Sequence, residues 1–346
     1  MIETLTPQTF VDRIRFDRLS LSMSGGVSGV IVDCLAPNAE QILRELSAEE
    51  LVDLPTICIG LGAASPMSAI FDLVLDDAAM LEAVVSTITE LPLASVATAI
   101  LMRGVERRSV VESLVAESST YSLLQAGPEF SRWQAARPKR NSRSSSTLMN
   151  DLVLVERAGA DLLITLNQPD RRNAYSSAMR SALGDALEVA VFDSNVERVT
   201  LRGAGNNFSS GGDLDEFGLL SDPVTAHFSR LSSRVNHHLW TLRQRLGTQL
   251  VCVVHGNNYG AGVELAAFAG KLIASRDATF TLPELKMGLI PGSGGTASLP
   301  LRIGRQRTLL LALTGLPIDA VAAQAWGLVD EILPDEILPG EIEHGH

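Results

Sequence analysis

Residues 255–270 read HGNNYGAGVELAAFAG, four glycines around one glutamate, followed directly by helix-forming residues. The stretch before it, QLVCVVHG (249–256), is apolar and reads as a buried strand. Glu264 therefore falls in the first turn of a helix otherwise made of Val, Leu, Ala and Phe, where a charge is costly to bury. Such an acid has two readings: a first-turn residue favoured by the helix dipole, or a group placed there for chemistry. The glycines bear on the choice. A glycine turn at a strand end lets the backbone come close to a ligand, and the start of the next helix adds N–H groups with no intrahelical partner.

A second stretch of this kind is NNFSSGGDLDEFG (206–218). Two such turns facing each other can hold an oxyanion between backbone amides, the arrangement required when a carbonyl oxygen gains charge during a reaction. Downstream, TLPELKMGLIPGSGGT (281–296) carries Glu284 just after a strand and before another glycine turn. Alone, Glu284 after Pro283 is a solvated turn acid. Paired with Glu264 it becomes half of an acid–base couple, since a helix and a strand-end loop can bring two carboxylates to one cavity.

Outward from these turns, residues 151–346 alternate strand and helix. LVLVERAGADLLITLNQP (152–169) reads as a hairpin, SSAMRSALGDALEVAVFD (176–193) as a helix and VERVTLRGAG (196–205) as a strand. HFSRLSSRVNHHLWTLRQR (227–245) has helical spacing, and KLIASRDATFTLPE (271–284) returns to strand. This alternation predicts an α/β layered fold. Residues 137–150, RPKRNSRSSSTLMN, are basic, Ser-rich and aperiodic, and so predict a linker over 138–150. Before it, residues 1–137 form a separate region with two strands, GVSGVIVDCL (26–35) and LPTICIGLG (54–62), and the helix NAEQILRELSAEEL (38–51) between them. Helices follow from about residue 75, with Leu81, Val84, Val85, Ile88 and Leu91 at core spacing, and likewise Val110, Val111, Leu114 and Val115. GLGAAS (60–65) lacks the third glycine of a dinucleotide loop and reads as a plain strand-to-helix turn.

The composition narrows the function. The chain has 346 residues, 46% hydrophobic and 20% charged, as expected of a globular protein. A net charge of −12 argues against nucleic acid or an anionic membrane as the main partner. Cys34, Cys58 and Cys252 are far apart and lack metal-ligand spacing, which predicts reduced core cysteines and a cytoplasmic location.

In the order and spacing of LNQPDRRNAYS, NNFSSGGDLDEF, HGNNYGAGVELAA, ATFTLPELKMGLIPGSGGT, LPLRIGRQRTLLLALTG and AVAAQAWGLVDEILP, residues 151–335 resemble the crotonase (enoyl-CoA hydratase/isomerase) superfamily. The resemblance implies the crotonase spiral of ββα units and an acyl-CoA substrate. It places a thioester oxyanion hole at the backbone N–H groups of Ser210 and Ala261, and the CoA arm along Arg171, Arg172 and Ala174. It assigns Glu264 and Glu284 as the acid and base that add water across a 2,3 double bond, without a metal or redox cofactor. Trimers or dimers of trimers are implied as well. The alternatives are another reaction on the same fold (isomerase, hydrolase, decarboxylase or cofactor-free oxygenase) or a non-catalytic acyl-CoA binder. The family's usual helical tail after GLVDEILP has too little chain here to form, and residues 75–137 resemble that tail. They are expected to pack over the core, from the same chain or a neighbouring subunit. Asp213 reads as a cap or loop brace, His237 and His238 as surface or core histidines with a place along the acyl pocket as the alternative, and His255 as a structural residue.

Overall fold

The computed structural model describes residues 1–62, 67–137, 151–218 and 222–334. The expected linker over 138–150, residues 63–65 of the GLGAAS turn and the terminal DEILPGEIEHGH lie outside the described residues.

The central sheet holds β5 (Val153–Ala158), β6 (Asp161–Leu166), β7 (Arg198–Gly203), β8 (Leu250–Val254), β10 (Lys271–Ala274) and β13 (Glu331–Ile332), in the order β13-β10-β8-β7-β6-β5. Only the edge pair β5–β6 is antiparallel, the hairpin expected at 152–169; the other pairs run parallel. Parallel strands are covered on both faces, so β8 is apolar throughout and wholly buried. Helix α7 (Ser177–Phe192) covers β5 and β6, and Ser176 caps it by accepting the Met179 N–H at 3.1 Å.

A small second sheet joins β9 (Asn257–Tyr259), β11 (Thr279–Thr281) and β12 (Ile318–Asp319). Segment 271–284 thus forms two strands, β10 and β11, in different sheets. The expected helix over 227–245 is also divided, into α8 (Pro223–Leu231) and α9 (Val235–Leu246). The short helix α10 (Ala261–Ala266) follows β9, and α11 (Gly295–Ser298), α12 (Pro300–Thr314) and α13 (Ala320–Trp326) complete this part.

The N-terminal region has a sheet of its own, all parallel, in the order β1-β2-β3-β4: β1 (Ile2–Leu5), β2 (Gly29–Asp33), β3 (Ile57–Leu61) and β4 (Leu73–Leu75). The expected strands are β2 and β3. The flanking β1 and β4 are additional, as is α1 (Pro7–Phe16), while the helix expected over 38–51 is α2 (Ala39–Leu43) plus a 3-10 turn. One face of the sheet packs with Phe10, Leu43 and Phe71. The other face, with Ile31, Ile59 and Leu73, joins the main core through α3 (Ala78–Glu90) and α4 (Pro92–Arg103). A buried ion pair, Arg103 to Asp72 at 2.6 Å, fastens α4 to this sheet.

Helices α5 (Val110–Gln125) and α6 (Pro128–Ala136) continue the layer. Within the same chain α3 and α4 pack on α12, α5 on α8 and α11, and α6 against the turn Glu284–Met287. Val84, Ile88, Val110 and Leu114 are buried as their spacing predicts, but Val111 and Val115 are about two-fifths exposed, so the apolar stripe on α5 is narrower than expected. No single described helix is long and apolar enough to cross a membrane.

Candidate active site

The opening stretch folds as strand, glycine turn and helix. Gly260 adopts φ 44°, in the left-handed half of φ space, and α10 begins at the next residue. Every residue of α10 is buried, Glu264 among them. Its Oε2 accepts the Ser293 N–H at 2.7 Å and the Gly295 N–H at 2.8 Å. Burial pushes the Glu264 carboxyl well above the usual carboxylate range; the charges of Glu284 and Glu117 act in the same direction, and the two amides oppose it.

Glu284 starts the 3-10 turn Glu284–Met287 after β11, and Gly288 closes the turn at φ 71°. It is buried, and its Oε2 has no hydrogen-bond partner among the described residues. Burial raises its carboxyl to about 8. The two glutamates meet across Gly260: a Cβ there would collide with Glu284 Oε1 and come within 3.9 Å of Glu264 Oε1. Only glycine leaves this gap open.

A third buried carboxylate belongs to the site and escaped the sequence reading. Glu117 on α5 accepts the Gly294 N–H at 2.7 Å and, on its other oxygen, the Thr296 N–H at 2.9 Å and the Thr296 hydroxyl at 2.6 Å. Burial raises its carboxyl to about 7, against these three donors. One turn further along α5, Tyr121 lies against Gly292, where a Cβ would strike its ring, and the Arg230 guanidinium stacks 4.5 Å from the ring centre. The four amides from Ser293 to Thr296 are thus divided between two glutamates, one from α10 and one from α5.

The other expected site residues divide. Ala261 is buried at the start of α10, one residue from Gly260. Ser210 is brought beside this segment, since Tyr259 N–H donates to the Ser209 carbonyl at 3.3 Å and a Cβ on Gly211 would meet the Tyr259 carbonyl. The Ser210 amide, however, donates to the Arg172 carbonyl at 2.9 Å, so in this conformation it is not a vacant oxyanion donor. Arg171 differs from expectation too. It pairs with Asp213 at 3.0 Å and Asp215 at 3.4 Å, which makes it a brace for the 206–218 loop and not a free phosphate ligand. Arg172 is exposed, with φ 54°, and Ala174 is buried. Asp213 caps the short turn Leu214–Glu216 as well as holding Arg171. His255 is hydrogen-bonded through Nε2 to the Gly205 carbonyl at 2.8 Å, a structural role, and His238 is buried on α9. His237, read as a surface or core histidine, lines a cavity beside Ser293 and Glu117.

Comparison with known proteins gives this geometry a family. Residues 156–343 match the family model described as enoyl-CoA hydratase/isomerase. A 2,3-dehydroadipyl-CoA hydratase of Escherichia coli (strain K12) is 34% identical over 186 residues, 54% of this chain and 70% of the relative. The chain belongs to the enoyl-CoA hydratase/isomerase family. Its fold is the crotonase fold. A 1,2-epoxyphenylacetyl-CoA isomerase of the same organism is 32% identical over 54% of this chain and 71% of the relative. The crystal structure of an enoyl-CoA hydratase from Mycobacterium smegmatis is 32% identical, covering 55% of this chain and 73% of that one, with a TM-score of 0.49. In this crotonase-family chain the matched segment begins at residue 156, so Glu117, Tyr121 and the rest of α5 lie before it.

Proposed function

We propose that the chain adds water across the 2,3 double bond of an enoyl-CoA thioester, with Glu264 and Glu284 as the proton-transferring pair. The observation that supports this reading is the convergence of two buried carboxyls in opposite hydrogen-bond environments. Burial raises both carboxyls, so the hydrogen bonds divide them: Glu264 has two amide donors that suit a negative charge, whereas Glu284 has an oxygen without a partner. Two carboxyls this close share a proton more readily than both ionise. Glu264 is therefore the carboxylate that takes a proton from water as the water oxygen bonds to C3. Glu284 is the acid that delivers its proton to C2, and a proton returning from Glu264 to Glu284 restores the starting state.

The electrons displaced onto the thioester oxygen make an enolate, for which the Ala261 and Ser210 amides are the donors. Binding exchanges the Arg172 carbonyl for the thioester oxygen at the Ser210 N–H. Each such donor lowers the barrier by about 3 kcal/mol. Arg172, exposed beside this amide, is the residue left to meet the phosphates of CoA. That the relatives named above include both a hydratase and an isomerase of CoA thioesters fits an acyl-CoA substrate and leaves the reaction to be decided by the carboxyl pair.

The test is turnover of crotonyl-CoA, followed by loss of the enoyl thioester absorbance and by product analysis, in the wild type, Glu264→Gln and Glu284→Gln. The wild type should form 3-hydroxybutyryl-CoA, and each variant should lose roughly 10²- to 10⁴-fold in kcat. Wild-type turnover of a thioester to some other product, or variants as active as the wild type, would overturn the assignment.

A further inference from the structure

Gly292 and Ser293, the latter bonded through its amide to Glu264, line a cavity of about 50 Å³ between α5, α7, α8 and α9. That is room for about three or four waters, close to the size of a carboxylate group with a methylene attached. The cavity is not built for a hydrocarbon tail. Leu114 and Leu231 contribute apolar surface, but Arg180, Arg230 and His237 face the same space.

Neither arginine forms an ion pair with a carboxylate among the described residues. Arg230 is held by neutral groups: the Ser118 hydroxyl at 3.3 Å, the Ser122 hydroxyl, the Gln125 carbonyl oxygen at 3.5 Å and the Tyr121 ring. Arg180 has a 3.4 Å contact with the Ser177 hydroxyl. Burial lowers the Arg230 pKa; Tyr121 and the Glu117 carboxyl oppose this, and the charge of Arg180 adds to it. Glu117 lines the cavity as well, but both its oxygens are occupied by Gly294 and Thr296. Two half-buried guanidiniums outnumber the one carboxyl of the cavity, Glu117, and so form a site for an anion. The position of Ser293, which donates to Glu264, puts that site next to the acid–base pair.

We infer that this cavity receives a carboxylate at the far end of the acyl chain, so that the preferred substrate is a short 2-enoyl-CoA carrying a second acid group. The inference rests on the acyl-CoA reading above and adds the chemical class of the acyl group. Arg180 supplies the charged hydrogen bond that binds the terminal carboxylate; Arg230, fixed by α5, supplies the second.

The experiment measures binding, so that it does not depend on turnover. Saturated thioesters of equal length are compared by calorimetry on the full chain: glutaryl- against pentanoyl-CoA and adipyl- against hexanoyl-CoA, in the wild type, Arg180→Met and Arg180→Lys. A charge-assisted hydrogen bond predicts that the acid-ended member of at least one pair binds about 10- to 100-fold more tightly to the wild type. That preference should fall about tenfold in Arg180→Met, where Arg230 keeps the remainder, and return in part in Arg180→Lys. Equal or tighter binding of both methyl-ended thioesters, or a preference undiminished in Arg180→Met, would overturn the inference. An intact acid preference in a protein that hydrates no enoyl-CoA would uphold it while removing the hydratase assignment. Failure of all four thioesters to bind would overturn both.

Discussion

Glu284→Gln isolates one proton in the buried cluster, and its effect on stability can be worked out from the structure. The substitution keeps the shape of the side chain and breaks no hydrogen bond at Oε2, which has none to lose. What changes is titration. In the folded protein the Glu284 carboxyl is raised from the ordinary 4.5 to about 8, chiefly by burial. The folded state therefore holds this proton more tightly than the unfolded state does. The resulting stabilisation is fully present below the ordinary carboxylate pKa and is lost as pH rises through the folded value.

Glutamine carries no such proton. Across the middle of the window the wild type should therefore lose about 1.4 kcal/mol per pH unit relative to Glu284→Gln. Between about pH 5.5 and about pH 7.5 the difference amounts to roughly 3 kcal/mol. Because Glu117 and Glu264 share the same field, the steps belong to the cluster as a whole, but the variant lacks one proton of the total. Urea unfolding of both proteins at several pH values measures the difference directly. The two stability curves should converge or cross as pH rises, with the variant gaining on the wild type. Parallel curves across the window would show that Glu284 titrates like a solvated acid, and the argument that it is the protonated partner at neutral pH would fail.

Two further substitutions test the frame around the carboxyls. Glu117→Ala strands two backbone N–H groups and a hydroxyl, each costing about 1–3 kcal/mol, while relieving like-charge repulsion; a net loss of about 2–4 kcal/mol in urea unfolding is expected. The same variant should lower kcat about tenfold, since the 293–296 loop also holds Glu264, and unchanged kcat would separate the loop from the chemistry. Gly260→Ala forces a side chain into a left-handed φ and onto Glu284 Oε1, so kcat/KM for an enoyl-CoA should fall by about 10²-fold or more. A variant with normal kinetics would show that the carboxyls do not meet across this glycine.

What could be read from the sequence follows from burial. The strands β6, β8 and β10 are apolar runs because parallel strands are covered on both sides. Glu264 was legible because a charge among Val, Leu and Ala is conspicuous, and Glu284 because it stands between a strand and a glycine turn. Glu117 was not, although it is equally buried. Helix α5 lies between α4 and α6 on one side and α8 and α11 on the other, and much of what it buries is polar: Ser113, Glu117, Ser118 and Ser122. A helix with polar contacts on several faces carries no apolar stripe, and an acid followed by two serines looks solvated. Strands β1 and β4 were missed for another reason: four and three residues are too short to establish a period. The role of Arg171 was illegible in principle, since residue type cannot distinguish an arginine awaiting a phosphate from one already held by Asp213.

The segment Gly292–Thr296 shows why the order of the chain and the order of the site differ. Successive amides point alternately to α10 and α5, so one loop needs an acid from each side, and the two acids are 147 residues apart. No side chain fits in the middle of the loop: a Cβ on Gly294 would come within 2.6 Å of Phe268, and one on Gly295 within 2.5 Å of Glu264 Cγ. The loop is therefore closed on one face by the segment matched to the family and on the other by a helix that precedes that segment. Neither face alone satisfies its donors. The helix that completes the Gly292–Thr296 loop thus comes from before the matched segment, and substitutions in α5 that leave the central sheet untouched should register as changes at Glu264.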